Sequence, residues 1–187
     1  MTRVVLSIGS NLGDRLARLQ SVVDGLGDSV LAVSPVYETQ PWGLVEQGPF
    51  LNAVLIADDP ACNGQAWLRR AQEFEQMAGR VRGERWGPRT LDVDLIACYQ
   101  NSPAGEVEVI AREPNLTLPH PLAHLRAFVM IPWLAVDPDA QLTVAGGPRP
   151  VARQLAELDP ADREAVRLSR LELKPEGRPP ADPEPES

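Results

Sequence analysis

A chain of 187 residues, 43% hydrophobic and 24% charged, is long enough for one domain with a buried core. Its net charge of −8 and pI near 4.8 argue against general affinity for nucleic acid or for an anionic membrane surface. No apolar run approaches the roughly 20 residues that span a bilayer, and no basic segment with a long apolar run opens the chain, so a cytoplasmic protein is expected.

Residues 3–8, Arg-Val-Val-Leu-Ser-Ile, are rich in β-branched side chains and predict a buried strand. Gly9-Ser10-Asn11-Leu12-Gly13-Asp14 ends it. Leu16, Leu19, Val22, Val23 and Leu26 then recur at helical spacing, with Asn11 or Asp14 as the cap and Gly27 as the stop. A glycine turn between strand and helix could bind a nucleotide. The dinucleotide spacing lacks its third glycine here, and there is no Gly-Lys-Ser/Thr, so the turn reads as plain loop geometry.

Residues 29–36 predict a second strand, with Pro35 suited to an edge. Tyr37-Glu38-Thr39-Gln40-Pro41-Trp42-Gly43 reads as a loop with an exposed aromatic. Residues 50–57 predict a strong strand: Phe50, Asn52, Val54 and Ile56 on one face, Leu51, Ala53 and Leu55 on the other. Asn52 is the polar exception in its row. It is either a sheet-edge amide or a hydrogen-bonding group on the floor of a pocket.

Residues 65–78 predict an amphipathic helix with Trp67, Leu68, Ala71, Phe74 and Ala78 as its buried stripe. Gln72 and Glu75 sit on a neighbouring face. The run at 79–95, Gly-Arg-Val-Arg-Gly-Glu-Arg-Trp-Gly-Pro-Arg-Thr-Leu-Asp-Val-Asp-Leu, is the most informative in the chain. Arg80, Arg82, Arg85 and Arg89 lie in a glycine-broken loop that leads into a strand over 91–98. Asp92 and Asp94, two apart on that strand, share a face. Such a pair is ordinarily a solvated strand face. Beside four arginines it also suits Mg²⁺, which takes one or two carboxylates with phosphate oxygens, while guanidinium forks match those phosphates.

Residues 99–105 read as a turn and 106–110 as an edge strand. The order strand, helix, strand, strand, helix, strand predicts an α+β fold with a ferredoxin-like core: a largely antiparallel sheet with helices packed on it in α/β/α layers. Residues 116–133 hold both histidines, His120 and His124, together with Arg126. His120 is fixed between Pro119 and Pro121. Zinc is disfavoured, since no Glu stands between the histidines and no cysteine is near. Residues 138–147 are turn-rich and 152–158 suit a short helix. Cys62 in a loop and Cys98 at the end of an apolar strand predict two free thiols. Residues 1–173 form the expected domain, and 174–187, with five prolines, a disordered tail.

Five separated motifs resemble the 6-hydroxymethyl-7,8-dihydropterin pyrophosphokinase family. They are Ile8-Gly9-Ser10-Asn11-Leu12-Gly13-Asp14, Thr39-Gln40-Pro41-Trp42-Gly43, Phe50-Leu51-Asn52-Ala53-Val54, the run from Arg80 to Asp94, and Pro119-His120-Pro121 continuing to Arg126-Ala127-Phe128-Val129. They fall in the family's order over residues 3–140. The resemblance implies transfer of pyrophosphate from ATP to the hydroxymethyl group of the reduced pterin, leaving AMP, in folate biosynthesis. It implies two Mg²⁺ ions on Asp92 and Asp94, and a pterin pocket of Thr39, Trp42, Phe50, Asn52 and Phe128. Gln72, Glu75, Trp86, Leu95, Thr117, His120 and Arg126 would surround the nucleotide. Arg80, Arg82 and Arg89 would contact the phosphates in catalysis, and Trp86 would ride on a closing loop. ATP and the pterin are the expected partners of a monomer that binds neither nucleic acid nor membrane. Leu122 and Leu125 depart from relatives that carry charged residues there. A nucleotidyltransferase that releases pyrophosphate and a non-catalytic RNA-binding or regulatory module are the rival readings.

Overall fold

The apolar run that begins the chain forms the middle of a sheet, and the rest of the fold is assembled on its two faces. The computed structural model describes residues 2–40, 48–79 and 91–175. In chain order the elements are β1 (Thr2–Ser10), α1 (Arg15–Leu26), β2 (Val30–Val33), β3 (Tyr37–Thr39), β4 (Phe50–Asp59), α2 (Gly64–Met77), β5 (Asp92–Ser102) and β6 (Gly105–Glu108). They continue with β7 (Ala111–Glu113), β8 (Leu116–Leu118), α3 (Ala127–Val136), β9 (Gln141–Val144), β10 (Gly147–Pro150), α4 (Val151–Ala156), α5 (Pro160–Glu164) and β11 (Val166–Leu168).

Among the described residues seven strands form one sheet in the order β11-β3-β4-β1-β5-β6, with β2 paired further along the outer edge of β4. Every pairing in it is antiparallel. The order β2-β4-β1-β5 with α1 and α2 as the connections is the ferredoxin-like core that the pattern predicts. Val4, Leu6 and Ile8 of β1 join Leu51, Ala53 and Leu55 of β4 and Val93 and Leu95 of β5 in a core under α1 and α2. Leu19, Val22 and Val23 of α1 and Trp67 and Ala71 of α2 close that core. Each helix starts where its sequence supplies a cap: Asp14 Oδ1 accepts from the Ala17 N–H at 3.1 Å, and Asn63 Oδ1 from the Ala66 N–H at 2.9 Å.

The opposite face of the sheet is covered by α3. Val129, Met130 and Trp133 pack on Val5, Val54, Ile56, Ile96 and Ala97. A bulge opposite Val5 and Leu6 turns both Ile96 and Ala97 into this second core. The result is three layers, helix on sheet on helix. Cys62 and Cys98 are free thiols, as expected.

Several boundaries differ from expectation. Tyr37–Thr39 is a strand rather than part of a loop, because it pairs with Phe50 to Asn52. β5 runs on to Ser102 through the predicted turn, and β6 ends at Glu108. Within α2 the buried residues are Trp67, Ala71 and Glu75, while Leu68 and Phe74 are half-covered. Helix α3 occupies part of a stretch for which no helix is expected.

Candidate active site

The site is built on the face of β4, β1 and β5 that turns toward α3. Register places Asn52, Gly9 and Asp92 opposite one another across three strands. The next row is Val54, Ser7 and Asp94. Directly opposed residues share a face, so both aspartates, the amide and Ser7 line one surface. Asp92 and Asp94 are half-exposed, while Val93 and Leu95 between and beyond them are buried beneath.

Asn52 is buried at 4% exposure, as is Thr39 on the neighbouring strand. The Asn52 Nδ2 donates to Thr39 Oγ1 at 2.8 Å. That bond fixes the amide with Oδ1 over the strand next door, where Gly9 leaves bare backbone. A Cβ on Gly9 would meet Asn52 Oδ1 at 2.9 Å and the Phe50 ring at 3.8 Å. Glycine is required here by close approach, not by turn geometry. Phe50 is registered with Thr39 and half-exposed, so the amide, the ring and the hydroxyl form one corner.

The other wall comes from the N-terminus of α3. Arg126 is the helix's N-cap residue, and its Nη1 lies 3.8 Å from Asp94 Oδ2. Its guanidinium also sits 5.5 Å from the centre of the Phe128 ring. Six residues earlier, the His120 N–H donates to the Ile96 carbonyl at 2.8 Å, which pins that loop to β5. His120 Nδ1 accepts from the Leu122 N–H at 3.1 Å. The proton of the neutral ring therefore sits on Nε2. Burial first, and Arg126 second, push the imidazole down to about 4, so it is uncharged at neutral pH.

Among the residues predicted for the site, Thr39, Phe50, Asn52, Asp92, Asp94, Arg126 and Phe128 converge on this face. His120 joins them at its margin. Gln72 and Glu75 belong to α2, on the other side of the sheet, and Glu75 is 9% exposed. The Leu95 side chain lies in the core under α1 and α2, so only its backbone is in a position to meet a ligand. Thr117 lies on β8, which pairs with β7 and rests against β5 and α2. Trp42, Arg80, Arg82, Trp86 and Arg89 fall outside the described residues. Ser7 and Gly9 are the additions. The signal for them was the row Val5, Ser7, Gly9, small or polar on alternate positions of an otherwise apolar strand.

The donor set tests which cation could be held. Among the described residues no three His, Cys, Asp or Glu side chains cluster closely enough to cage a metal. Two half-exposed carboxylates on one face fit Mg²⁺, which keeps waters and takes phosphate oxygens, and do not fit a four-ligand zinc centre.

Known proteins similar to this chain belong to one family. The family model for 7,8-dihydro-6-hydroxymethylpterin-pyrophosphokinase (HPPK) matches residues 5–138. The 2-amino-4-hydroxy-6-hydroxymethyldihydropteridine pyrophosphokinase of Mycobacterium tuberculosis is 72% identical over 188 residues, covering 100% of both chains. Its counterpart in Mycobacterium leprae is 70% identical, covering 98% of this chain and 97% of that one. The Methylorubrum extorquens protein of the same name is 39% identical over 89% of this chain and 99% of its own. A crystal structure of HPPK-DHPS in complex with substrates superimposes with a TM-score of 0.57 at 10% identity, over 83% of this chain. Plasmodium falciparum HPPK-DHPS does so with a TM-score of 0.56 at 12% identity, over 84% of this chain. This chain spans 43% of each of those two, which support the fold alone.

Proposed function

The chain belongs to the 7,8-dihydro-6-hydroxymethylpterin-pyrophosphokinase family, and from that premise we propose how its residues divide the work. The reaction is transfer of a pyrophosphoryl group from ATP to the hydroxymethyl group of 6-hydroxymethyl-7,8-dihydropterin, in folate biosynthesis. The observation that carries the residue assignment is the single surface shared by Asn52, Gly9, Asp92, Asp94 and Arg126.

Phosphoryl transfer asks a protein for alignment and for charge neutralisation more than for a covalent partner. Asn52, held by Thr39, reads the hydrogen-bonding edge of the pterin. Phe50, Phe128 and Trp42 wall a slot for a flat heterocycle. Gly9 keeps the floor between the amide and Asp92 clear, so the hydroxymethyl group has room to point toward the carboxylates. Asp92 and Asp94 would hold two Mg²⁺ ions, which when bound neutralise phosphate charge and orient the attacking and leaving oxygens. Arg126, 3.8 Å from Asp94, is placed to exchange that partner for a phosphate oxygen. His120 offers Nε2–H as an uncharged donor. Trp86, Thr117 and the Leu95 backbone complete the nucleotide's surroundings, without Gln72 and Glu75, which α2 carries on the other side of the sheet; Arg80, Arg82 and Arg89 bear on its phosphates. The reading includes a cytoplasmic monomer.

Incubation with ATP, Mg²⁺ and the hydroxymethyl-dihydropterin tests it. One AMP should appear for each pterin diphosphate formed. Release of pyrophosphate or ADP instead would mean a different transfer. Asp94→Ala should lower turnover by at least about a hundredfold; a variant that keeps wild-type rates with Mg²⁺ would remove Asp94 from the metal site.

A further inference from the structure

The pterin corner hangs on a very short strand. β3 has three residues, and Thr39 is its last. On one side β3 pairs with β4 through Tyr37–Asn52, Glu38–Leu51 and Thr39–Phe50. On the other it pairs with β11, with Val166 opposite Thr39, Arg167 opposite Glu38 and Leu168 opposite Tyr37. β11 is the terminal strand of the sheet, drawn from the chain's last described stretch. The pairing continues beyond both ends of the short ladder. The Ser169 N–H donates to the Val36 carbonyl at 3.0 Å, and the Gln40 N–H to the Ala165 carbonyl at 3.4 Å. Ser169 Oγ adds a bond to the Val36 carbonyl at 2.7 Å. Val166 is 9% exposed and shares the Thr39 face, and α3 rests on both β3 and β11.

We propose that β11, by pairing with β3 from the outer edge, is a positioning element for pterin binding: it holds Thr39 where its hydroxyl orients the Asn52 amide. The proposal rests on the assignment of Thr39 and Asn52 to the pterin pocket. A three-residue strand with one partner has little to hold its register, because a short pair is marginal alone. With β11 in place, Thr39 is fenced on both sides, and its Oγ1 stays 2.8 Å from Asn52 Nδ2. β11 itself touches no substrate in this reading.

Antiparallel pairing makes the test specific to one backbone position. Opposed residues alternate between exchanging both hydrogen bonds and exchanging none. Ser169–Val36 and Ala165–Gln40 are bonded pairs, so Arg167–Glu38 is bonded too, while Leu168–Tyr37 and Val166–Thr39 are not. Proline at 167 removes a ladder donor; proline at 168 removes an N–H that points away from the ladder. Arg167 and Leu168 are both exposed, so side-chain loss weighs little at either.

The experiment measures KM for the pterin, affinity for a fluorescent ATP analogue and melting temperature in Arg167→Pro, Leu168→Pro, Arg167→Ala, Thr39→Val and the double variant of the first and fourth. Arg167→Pro should raise pterin KM about fivefold or more and leave nucleotide affinity unchanged. Leu168→Pro and Arg167→Ala should match wild type. Thr39→Val should raise pterin KM about fivefold, and the double variant should be no worse than the stronger single, because both act through one bond. If Arg167→Pro folds too poorly to bind the analogue, Val166→Ala takes its place, with pterin KM expected to rise about threefold. Wild-type pterin KM in Arg167→Pro beside an impaired Thr39→Val overturns the role of β11 and spares the pocket. Equal impairment by the two prolines, or additive effects in the double variant, also overturns it. An unimpaired Thr39→Val overturns the pocket assignment and the proposal with it.

Discussion

Gly9 is where the site is least tolerant of a single atom. A methyl group there meets Asn52 Oδ1 at 2.9 Å, and the amide cannot swing away without giving up its bond to Thr39. Gly9→Ala should therefore raise the pterin KM about five- to tenfold, the worth of one lost hydrogen bond, with nucleotide affinity unchanged in an ATP-analogue titration. His120 gives a pH prediction. Its folded-state value is lowered to about 4 from 6.5, so between those limits the unfolded chain binds more protons, and stability rises with pH. The contribution is whole above pH 6.5 and is lost as pH falls toward 4. His120→Asn should flatten the fall in melting temperature between pH 6.5 and 4.5, measured side by side with wild type. At this scale the sequence was readable where chemistry obeyed a period. Asp92 and Asp94 share a face because a strand repeats every two residues. Gly9 reads as a turn in the sequence, since glycine after a β-branched run usually ends it, yet β1 continues through Ser10. What demanded glycine was a side chain on the next strand, and no local rule reports that.

At the scale of elements, α3 carries the second core and presents Arg126 and Phe128 to the site. Trp133 is 1% exposed and sits between the helix and the sheet. Trp133→Ala should cost about 3–5 kcal/mol in urea unfolding. Its indole N–H meets no acceptor among the described residues, so Trp133→Phe gives up volume but no hydrogen bond and should cost less than about 1.5 kcal/mol. A larger loss in the phenylalanine variant would show that the N–H has a partner. Strands β1, β4 and β5 and helices α1 and α2 were legible because their apolar residues repeat at 2 or 3.6 residues between clear stops. α3 was not. It is apolar on nearly every side, Pro132 lies inside it, and two prolines flank His120 just before it. Proline inside a helix forfeits one backbone bond, and burial on the sheet outweighs that. β3 escaped for a related reason: three residues carry no period, and only its neighbours make it a strand.

For the whole molecule, the question is where the fold ends. Residues 174–187 read as a tail, from five prolines and little apolar content. The last described residues are docked. Leu173, 7% exposed, belongs to the core under α1 and α2. Beside it Lys174 forms a two-bond pair with one side chain of α1: its N–H donates to Gln20 Oε1 at 2.9 Å, and its carbonyl accepts from Gln20 Nε2 at 2.7 Å. The chain thus returns from β11, at one edge of the sheet, to the first helix. Two truncations separate docked from dispensable sequence. Ending the chain after Arg170 keeps β11 and its ladder but exposes the site that Leu173 fills. Burying a leucine is worth about 1.5–3 kcal/mol, and for a chain of this size each kcal/mol moves the midpoint by about 2–4 °C. The melting temperature should fall by about 3–12 °C, with turnover at 25 °C retained because no site residue is lost. Ending it after Pro175 should leave the melting temperature where it was. Gln20→Ala in the full chain should give part of the first loss, which assigns the effect to the α1 contact rather than to chain length. If both truncations melt alike, Leu173 contributes nothing that solvent does not replace, and the domain closes at β11.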